Sequence, residues 1–296
     1  MRLASAPVTW GVWERTVGRD DLVPPQQLLE AVRSLGYGAI ELGPPGYLGA
    51  DGPSVRALLE RFGLDLVGAF VPLRLADEDE ELQELATTIE ILRDQPTAVV
   101  LLADAGTPER FGAAGRSEEL RRMALQGAAL DRAAARLASA AERCRDAGLV
   151  PALHPEVGSY IEAPAEIEAF LERVDLGLCL DTGHTLIGGG DPLELARRWA
   201  DRLCHVHLKD VSGALLARLR AGDLDVEAAW QQGLFCPFGE GEVDLTGVIS
   251  QLGAFPGWLV LEQDRVAVRA EDLPAVRAVE QRNLAFVRDR VPIGQP

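Results

Sequence analysis

Leu176-Gly-Leu-Cys-Leu-Asp181-Thr-Gly-His184 runs from a short apolar segment into an acid, a turn and an imidazole, and Leu203-Cys-His205-Val-His207-Leu-Lys209-Asp210 repeats the plan. Such runs are too uniformly apolar for strands with one wet face; burial on both faces of a parallel sheet explains them better. Polar residues clustered where the run stops mark the carboxyl end of a parallel strand, where α/β enzymes keep their chemistry.

Six more runs of this kind lie outside these two, at residues 8–12, 39–42, 64–71, 98–103, 149–154 and 258–262. Amphipathic helical patterns fill the gaps. Leu28, Val32 and Leu35 form one stripe that Gly36 ends. Residues 55–62, 82–92, 118–147, 165–171, 192–199 and 245–252 repeat the pattern, and residues 270–291 form a closing C-terminal helix. Eight strands alternating with helices predict a single-domain (β/α)8 TIM barrel. A doubly wound open sheet is the competing topology, but no G-x-G-x-x-G follows the first strand. Residues 212–243 exceed a plain connection and are expected to form an extended loop or lid over the substrate.

Composition narrows the function. The chain has 296 residues, 47% apolar and 25% charged, with a formal charge of −17. A field of that sign repels phosphate backbones and anionic lipid, so neither nucleic acid nor membrane is an expected partner. No run approaches the ~18 apolar residues of a spanning helix, and the N-terminus lacks the apolar stretch of a signal peptide. Cys144, Cys179, Cys204 and Cys236 include no C-x-x-C pair; Cys179 and Cys204, inside apolar runs, read as small core residues, and the compartment reads as reducing and cytoplasmic.

All four histidines (His154, His184, His205 and His207) fall at strand ends, as does the only lysine, Lys209. Strand five supplies His154 and Glu156, strand six Asp181 and His184, strand seven His205, His207, Lys209 and Asp210, and strand eight Glu262 and Asp264. Barrel geometry brings these ends to one rim. Mixed imidazole and carboxylate donors suit one divalent transition ion, Mn2+, Co2+, Fe2+ or Zn2+; an all-oxygen cage would not need imidazoles. Each residue taken alone also has a structural reading. Asp181 suits a turn cap, one of His205 and His207 suits a hydrogen-bonded core position, and Glu262 suits a solvated strand end. Glu14, Glu41 and Asp104 end strands one, two and four and are candidates for substrate hydroxyls.

Asp181-Thr-Gly-His184, His205-Val-His207-Leu-Lys209-Asp210, Gly239-Glu240-Gly241 with Asp244, and Leu261-Glu262 resemble the xylose-isomerase-like TIM-barrel superfamily of sugar isomerases, epimerases and dehydratases. The resemblance spans Trp10 to Glu262. The segment from Leu153 to Pro164 looks closest to the inosose dehydratase branch. The resemblance implies one divalent ion held by Asp181, His207, Glu262 and a strand-five residue. His154 stands where a glutamate is usual, which leaves Glu156 as an acid/base; the reverse assignment stays open. His184 and Lys209 match positions that in this superfamily usually touch the substrate or its developing negative charge, so catalytic roles are expected for Glu156, His184 and Lys209. Glu14, Glu41, His205, Asp210 and Glu240 are expected to bind substrate from their places at the strand ends and in the Gly-Glu-Gly loop.

The expected activity is metal-dependent dehydration of a keto-cyclitol or keto-sugar through an enediolate. A ketose isomerase or 3-epimerase using the same ion is the alternative, and a non-catalytic sugar-binding barrel is a third. An abasic-site endonuclease would need more histidines and a basic face. The expected partners are a polyol or keto-sugar substrate and further copies of the chain in a homo-oligomer.

Overall fold

The computed structural model describes residues 1–76, 82–93, 95 and 98–290. The barrel strands are Arg2–Ser5, Ala39–Ile40, the pair Asp65–Leu66 and Gly68–Leu73, Val99–Asp104, Val150–Leu153, Gly177–Asp181, Leu203–Leu208 and Trp258–Leu261. All neighbours pair in parallel. Asp65–Leu66 pairs with Ala39–Ile40, and Gly68–Leu73 with Val99–Asp104. Val67 bridges the two, donating to Ile40 and accepting from Val99. One kinked third strand therefore closes the sheet, and eight strands make the cylinder.

Alternation along the strands sorts side chains into two environments. Val206 and Leu208 join the large cluster beneath the helices. His205 and His207, one residue out of phase, are buried on the opposite face, inside the cylinder. Small clusters share that interior: Ala4, Ala39, Val67 and Val260 on one side, Val99, Leu101, Ala152 and Cys179 on the other. Alanines at several inward positions leave room for the imidazoles above them.

The first strand lies earlier than its apolar pattern suggested. Residues 8–12 are not a strand: Pro7–Trp10 is a 3-10 turn, begun by proline and ended by Gly11 at φ 73°. Trp10 Nε1 donates to Ser5 Oγ at 3.0 Å, folding this turn back over the strand that precedes it. A Cβ at Gly11 would lie 2.2 Å from the Val268 amide, so only glycine fits there. The pattern misled because a buried aromatic turn and a buried strand are equally apolar.

Two helical expectations also change. Residues 118–147 split into Ser117–Met123 and Gly127–Asp146. The closing segment is a 3-10 turn, Ala270–Asp272, followed by the helix Leu273–Arg288; residue 291 of the expected helix lies outside the described residues. Residues 212–243 hold the helices Gly213–Ala221 and Val226–Gln231, and Phe235–Cys236 pairs antiparallel with Asp210–Val211. Trp230 Nε1 donates to the Asp264 carbonyl at 2.9 Å, tying this insert to the exit of strand eight. Among the described residues, no helix is long and apolar enough to cross a membrane, and the cysteines are free thiols.

Candidate metal centre

Asp181 ends strand six and begins the helix Thr182–Ile187, and its two oxygens separate the roles that sequence left open. Oδ1 accepts from the His184 amide at 2.8 Å, capping the helix. Oδ2 is buried without a hydrogen-bond partner and faces the barrel axis. There it lies 3.6 Å from His154 Nε2 and 3.5 Å from His207 Nδ1. His207 Nδ1 is also 3.3 Å from His154 Nε2 and 2.9 Å from Glu262 Oε2, and Glu262 Oε2 is likewise buried without a partner.

Four donor atoms from strands five to eight thus converge. The donors of a four-coordinate ion at about 2.1 Å stand about 3.4 Å apart, close to the separations found here. Burying two carboxylate oxygens that lack hydrogen bonds is costly; the Lys209 ammonium, 3.2 and 3.0 Å away, offsets part of that cost, and a cation among the four donors would offset more. Asp181, His207 and Glu262 by themselves keep one donor atom each within 4.8 Å of one another. The residues present fit a divalent ion.

His207 is oriented from behind. Its Nε2 donates to Glu41 Oε1 at 2.9 Å, and His205 Nε2 donates to the same oxygen at 2.7 Å. Glu41 and His205 are therefore part of the floor beneath the quartet, buried to 3% and 1% exposure. Both were expected to touch substrate; the contacts found for them are to each other and, through Glu41, to His207.

Lys209 stands beside the quartet. Its Nζ is 3.2 Å from Asp181 Oδ2 and 3.0 Å from Glu262 Oε2. It also donates to Asp264 Oδ2 at 2.9 Å, a partner outside the quartet. Burial alone would pull the ammonium down; Asp181, Asp264 and Glu262 outweigh it and hold Lys209 well above its usual range. The backbone of Lys209 is clamped to strand six: Thr182 Oγ1 donates to its carbonyl at 2.7 Å and accepts from its amide at 2.8 Å.

His184 has its tautomer set by the backbone. The Val157 amide donates to Nδ1 at 3.1 Å, so Nδ1 is an acceptor and Nε2 carries the hydrogen. Burial, assisted by the Lys209 charge, keeps this imidazole neutral, well below its usual pKa. Its Nε2 lies 3.2 Å from Lys209 Nζ, so the ring and the ammonium line one wall. The Phe235 ring, from the insert, packs against both.

Glu156 sits at the mouth rather than in the quartet. Its side chain is a quarter exposed, with Oε2 3.4 Å from His154 Nδ1 and Oε1 3.6 Å from His184 Nδ1. Crowding by protein lifts its carboxyl well above the usual range; Asp181, Asp264 and Glu14 add to this against the opposing charge of Lys209. Glu14 is solvent-accessible on the rim, and crowding raises its carboxyl too.

Two further expectations are redirected. Asp210 accepts backbone hydrogen bonds from Gly239, Gly241, Val243 and its neighbour Val211, so both oxygens are consumed in shaping the Gly239-Glu240-Gly241 loop. It organises that loop instead of meeting substrate. Glu240 points to solvent there. Asp104 likewise spends its carboxylate on the Leu75, Gly106 and Tyr160 amides. The residue whose contacts sequence left unstated is Asp264, two positions beyond Glu262 on the same strand exit.

The model of the xylose isomerase-like TIM barrel family matches residues 29–283. The chain belongs to that family. It is 30% identical over 272 residues to an inosose dehydratase of Geobacillus kaustophilus, covering 89% of this chain and 87% of that one. It is 32% identical over 282 residues to the rhizopine catabolism protein MocC of Rhizobium meliloti, covering 92% and 84%. The fold is also that of a solved L-ribulose 3-epimerase, at TM-score 0.68 and 18% identity over 98% of this chain and 94% of that one. The barrel described above is the family's barrel.

Proposed function

We propose that this family member is a divalent-metal-dependent lyase that removes water from a keto-cyclitol or keto-sugar, as its inosose dehydratase relatives do by name. The observation that carries the reading is the gathering of His154 Nε2, Asp181 Oδ2, His207 Nδ1 and Glu262 Oε2, with His207 Nδ1 2.9–3.5 Å from the other three and His154 Nε2 3.6 Å from Asp181 Oδ2, beside the Glu156 carboxyl at the mouth. Those four residues would hold one ion of the Mn2+, Co2+, Fe2+ or Zn2+ class. Such an ion supplies Lewis-acid polarisation of a carbonyl oxygen.

The chain's own residues carry the rest. Glu156 takes the proton from the carbon next to the carbonyl, a task suited to a carboxyl raised from its ordinary range. The C–H electron pair moves toward the carbonyl oxygen and gives an enediolate. The Lys209 ammonium and the Nε2–H of His184 face that developing negative charge from a buried wall. Collapse of the enediolate then breaks the β C–O bond, and the hydroxyl leaves as water with the proton from Glu156. Atoms balance without a redox co-reactant. Glu14, open to solvent at the rim, is placed to accept a substrate hydroxyl, and the insert 212–243 forms a wall of the mouth.

Incubating the purified, Mn2+- or Co2+-loaded protein with 2-keto-myo-inositol is expected to yield a dehydrated diketone. Absence of that product with both ions defeats the proposal. Solvent deuterium entering a recovered ketose with no loss of water moves the reading to an isomerase or 3-epimerase, which shares the first half of the chemistry.

A further inference from the structure

The interior of the barrel below the quartet holds a second set of polar groups that the reaction does not touch. Glu41 comes from the exit of strand two, across the cylinder from strand seven. Its Oε1 receives both His205 Nε2 at 2.7 Å and His207 Nε2 at 2.9 Å. An ionised carboxylate only accepts, so both imidazole nitrogens must carry hydrogen. With Nε2 of His207 so committed, Nδ1 is the one nitrogen with a lone pair free for a cation. Nδ1 is the atom 2.9 Å from Glu262 Oε2 and 3.5 Å from Asp181 Oδ2.

Sequence provides the space for this arrangement. Gly68 lies on strand three, alongside. A Cβ there would stand 3.2 Å from Glu41 Oε1, 3.2 Å from the Val99 carbonyl oxygen and 3.5 Å from His205 Cε1. Any larger residue would press on the carboxylate. Three strands thus cooperate: the second supplies the acceptor, the third withholds a side chain, and the seventh supplies two donors at alternate, inward positions.

Resting on the metal-centre reading above, we infer that Glu41, braced by His205 and seated over Gly68, is a positioning residue that fixes the ring orientation and tautomer of His207 so that Nδ1 faces the ion. Groups of this kind, behind a ligating imidazole, are worth roughly 10–100-fold in metal affinity. His205 serves by holding Glu41, which explains two histidines on one strand when only one reaches the quartet.

The test compares Co2+ binding to the wild type, Glu41→Gln and Gly68→Ala, by competition titration and by the visible d–d absorption of bound Co2+, with circular dichroism confirming folded protein. Glu41→Gln is expected to weaken Co2+ binding by roughly 10–100-fold and to alter the absorption band, while its far-ultraviolet spectrum stays that of the wild type. Gly68→Ala, which shifts the carboxylate without removing its charge, is expected to weaken binding less and serves if Glu41→Gln does not fold. Unchanged affinity and band in either folded variant overturns the inference while leaving the metal centre standing. A wild type that binds no Co2+ defeats the metal reading instead. The positioning claim is then decided on the metal-free protein by NMR of the His207 ring. Its Nε2 proton is expected at low field and moved in the variant; an Nε2 without hydrogen in the wild type overturns the claim.

Discussion

Glu262 Oε2 lies 2.9 Å from His207 Nδ1 and 3.0 Å from the Lys209 ammonium. A buried carboxylate oxygen in that position is built to meet a cation. Glu262→Gln replaces one ligand oxygen with an amide or turns its nitrogen toward the ion. The expected outcome is loss of both bound metal and turnover, read by elemental analysis and product formation. Added Mn2+ should also stop raising the melting temperature; in the wild type an ion at 100 times its Kd stabilises by about 2.7 kcal/mol. A variant that retains stoichiometric metal removes Glu262 from the ligand set.

Glu156 stands outside the quartet, with Oε2 3.4 Å from the far nitrogen of His154. Glu156→Gln is therefore expected to keep its metal and lose turnover by about 10²–10⁴-fold, the usual worth of a positioned acid/base. Exchange of the substrate's α-hydrogen with solvent should vanish with it. Metal loss equal to that of Glu262→Gln would make Glu156 a ligand and open the strand-five assignment again.

Gly183 packs against the wall that carries Lys209. A Cβ there would lie 2.8 Å from Lys209 Cβ and 3.1 Å from the Phe235 ring. Gly183→Ala forces Lys209 or the insert to move. Overpacking of this kind costs about 1–3 kcal/mol, and a displacement near 1 Å costs up to about 10²-fold in rate. Thermal unfolding and kcat measure the two effects, with metal content unchanged. Wild-type kcat in the folded variant would show that the position of Lys209 does not limit the reaction.

Glu162 tests the electrostatics away from the centre. It accepts the Gly115 amide at 2.9 Å and the Gly158 amide at 2.7 Å. Burial, the largest influence, raises its carboxyl from 4.5 to about 7. Between those values the folded state binds the proton more tightly than the unfolded chain. Its contribution to stability is therefore greatest at the acid end and falls as pH rises through that window. The melting temperature of the wild type relative to Glu162→Gln, whose side chain does not titrate, should drop from pH 5 to pH 8. Glu162→Gln also leaves one amide without its acceptor, about 1–3 kcal/mol at any pH. A flat difference across pH would contradict the raised carboxyl.

The strand exits that carry chemistry were legible because an inward, doubly buried strand can hold polar groups only where it stops. His154, Asp181, His207 and Glu262 each follow an apolar run, and the parallel order of the sheet forces such ends together. The first strand was not legible in the same way. The run through Trp10 is as apolar as a strand, yet Pro7 and Gly11 turn it over the rim.

From the sequence alone came the barrel, the alternation of buried runs with amphipathic helices, and the set of imidazoles and carboxylates available at one rim. These follow from local periodicity and from the direction a parallel strand imposes on its ends. Only the tertiary structure decided which atom of each side chain faces which neighbour. Asp181 divides its oxygens between a helix cap and the centre, Glu41 goes behind His207, and Asp210 closes on backbone amides. Those choices depend on hydrogen-bond partners far away in the chain, such as Glu41 and His207, 166 residues apart. No local pattern encodes a contact of that range; it exists only once the cylinder has closed.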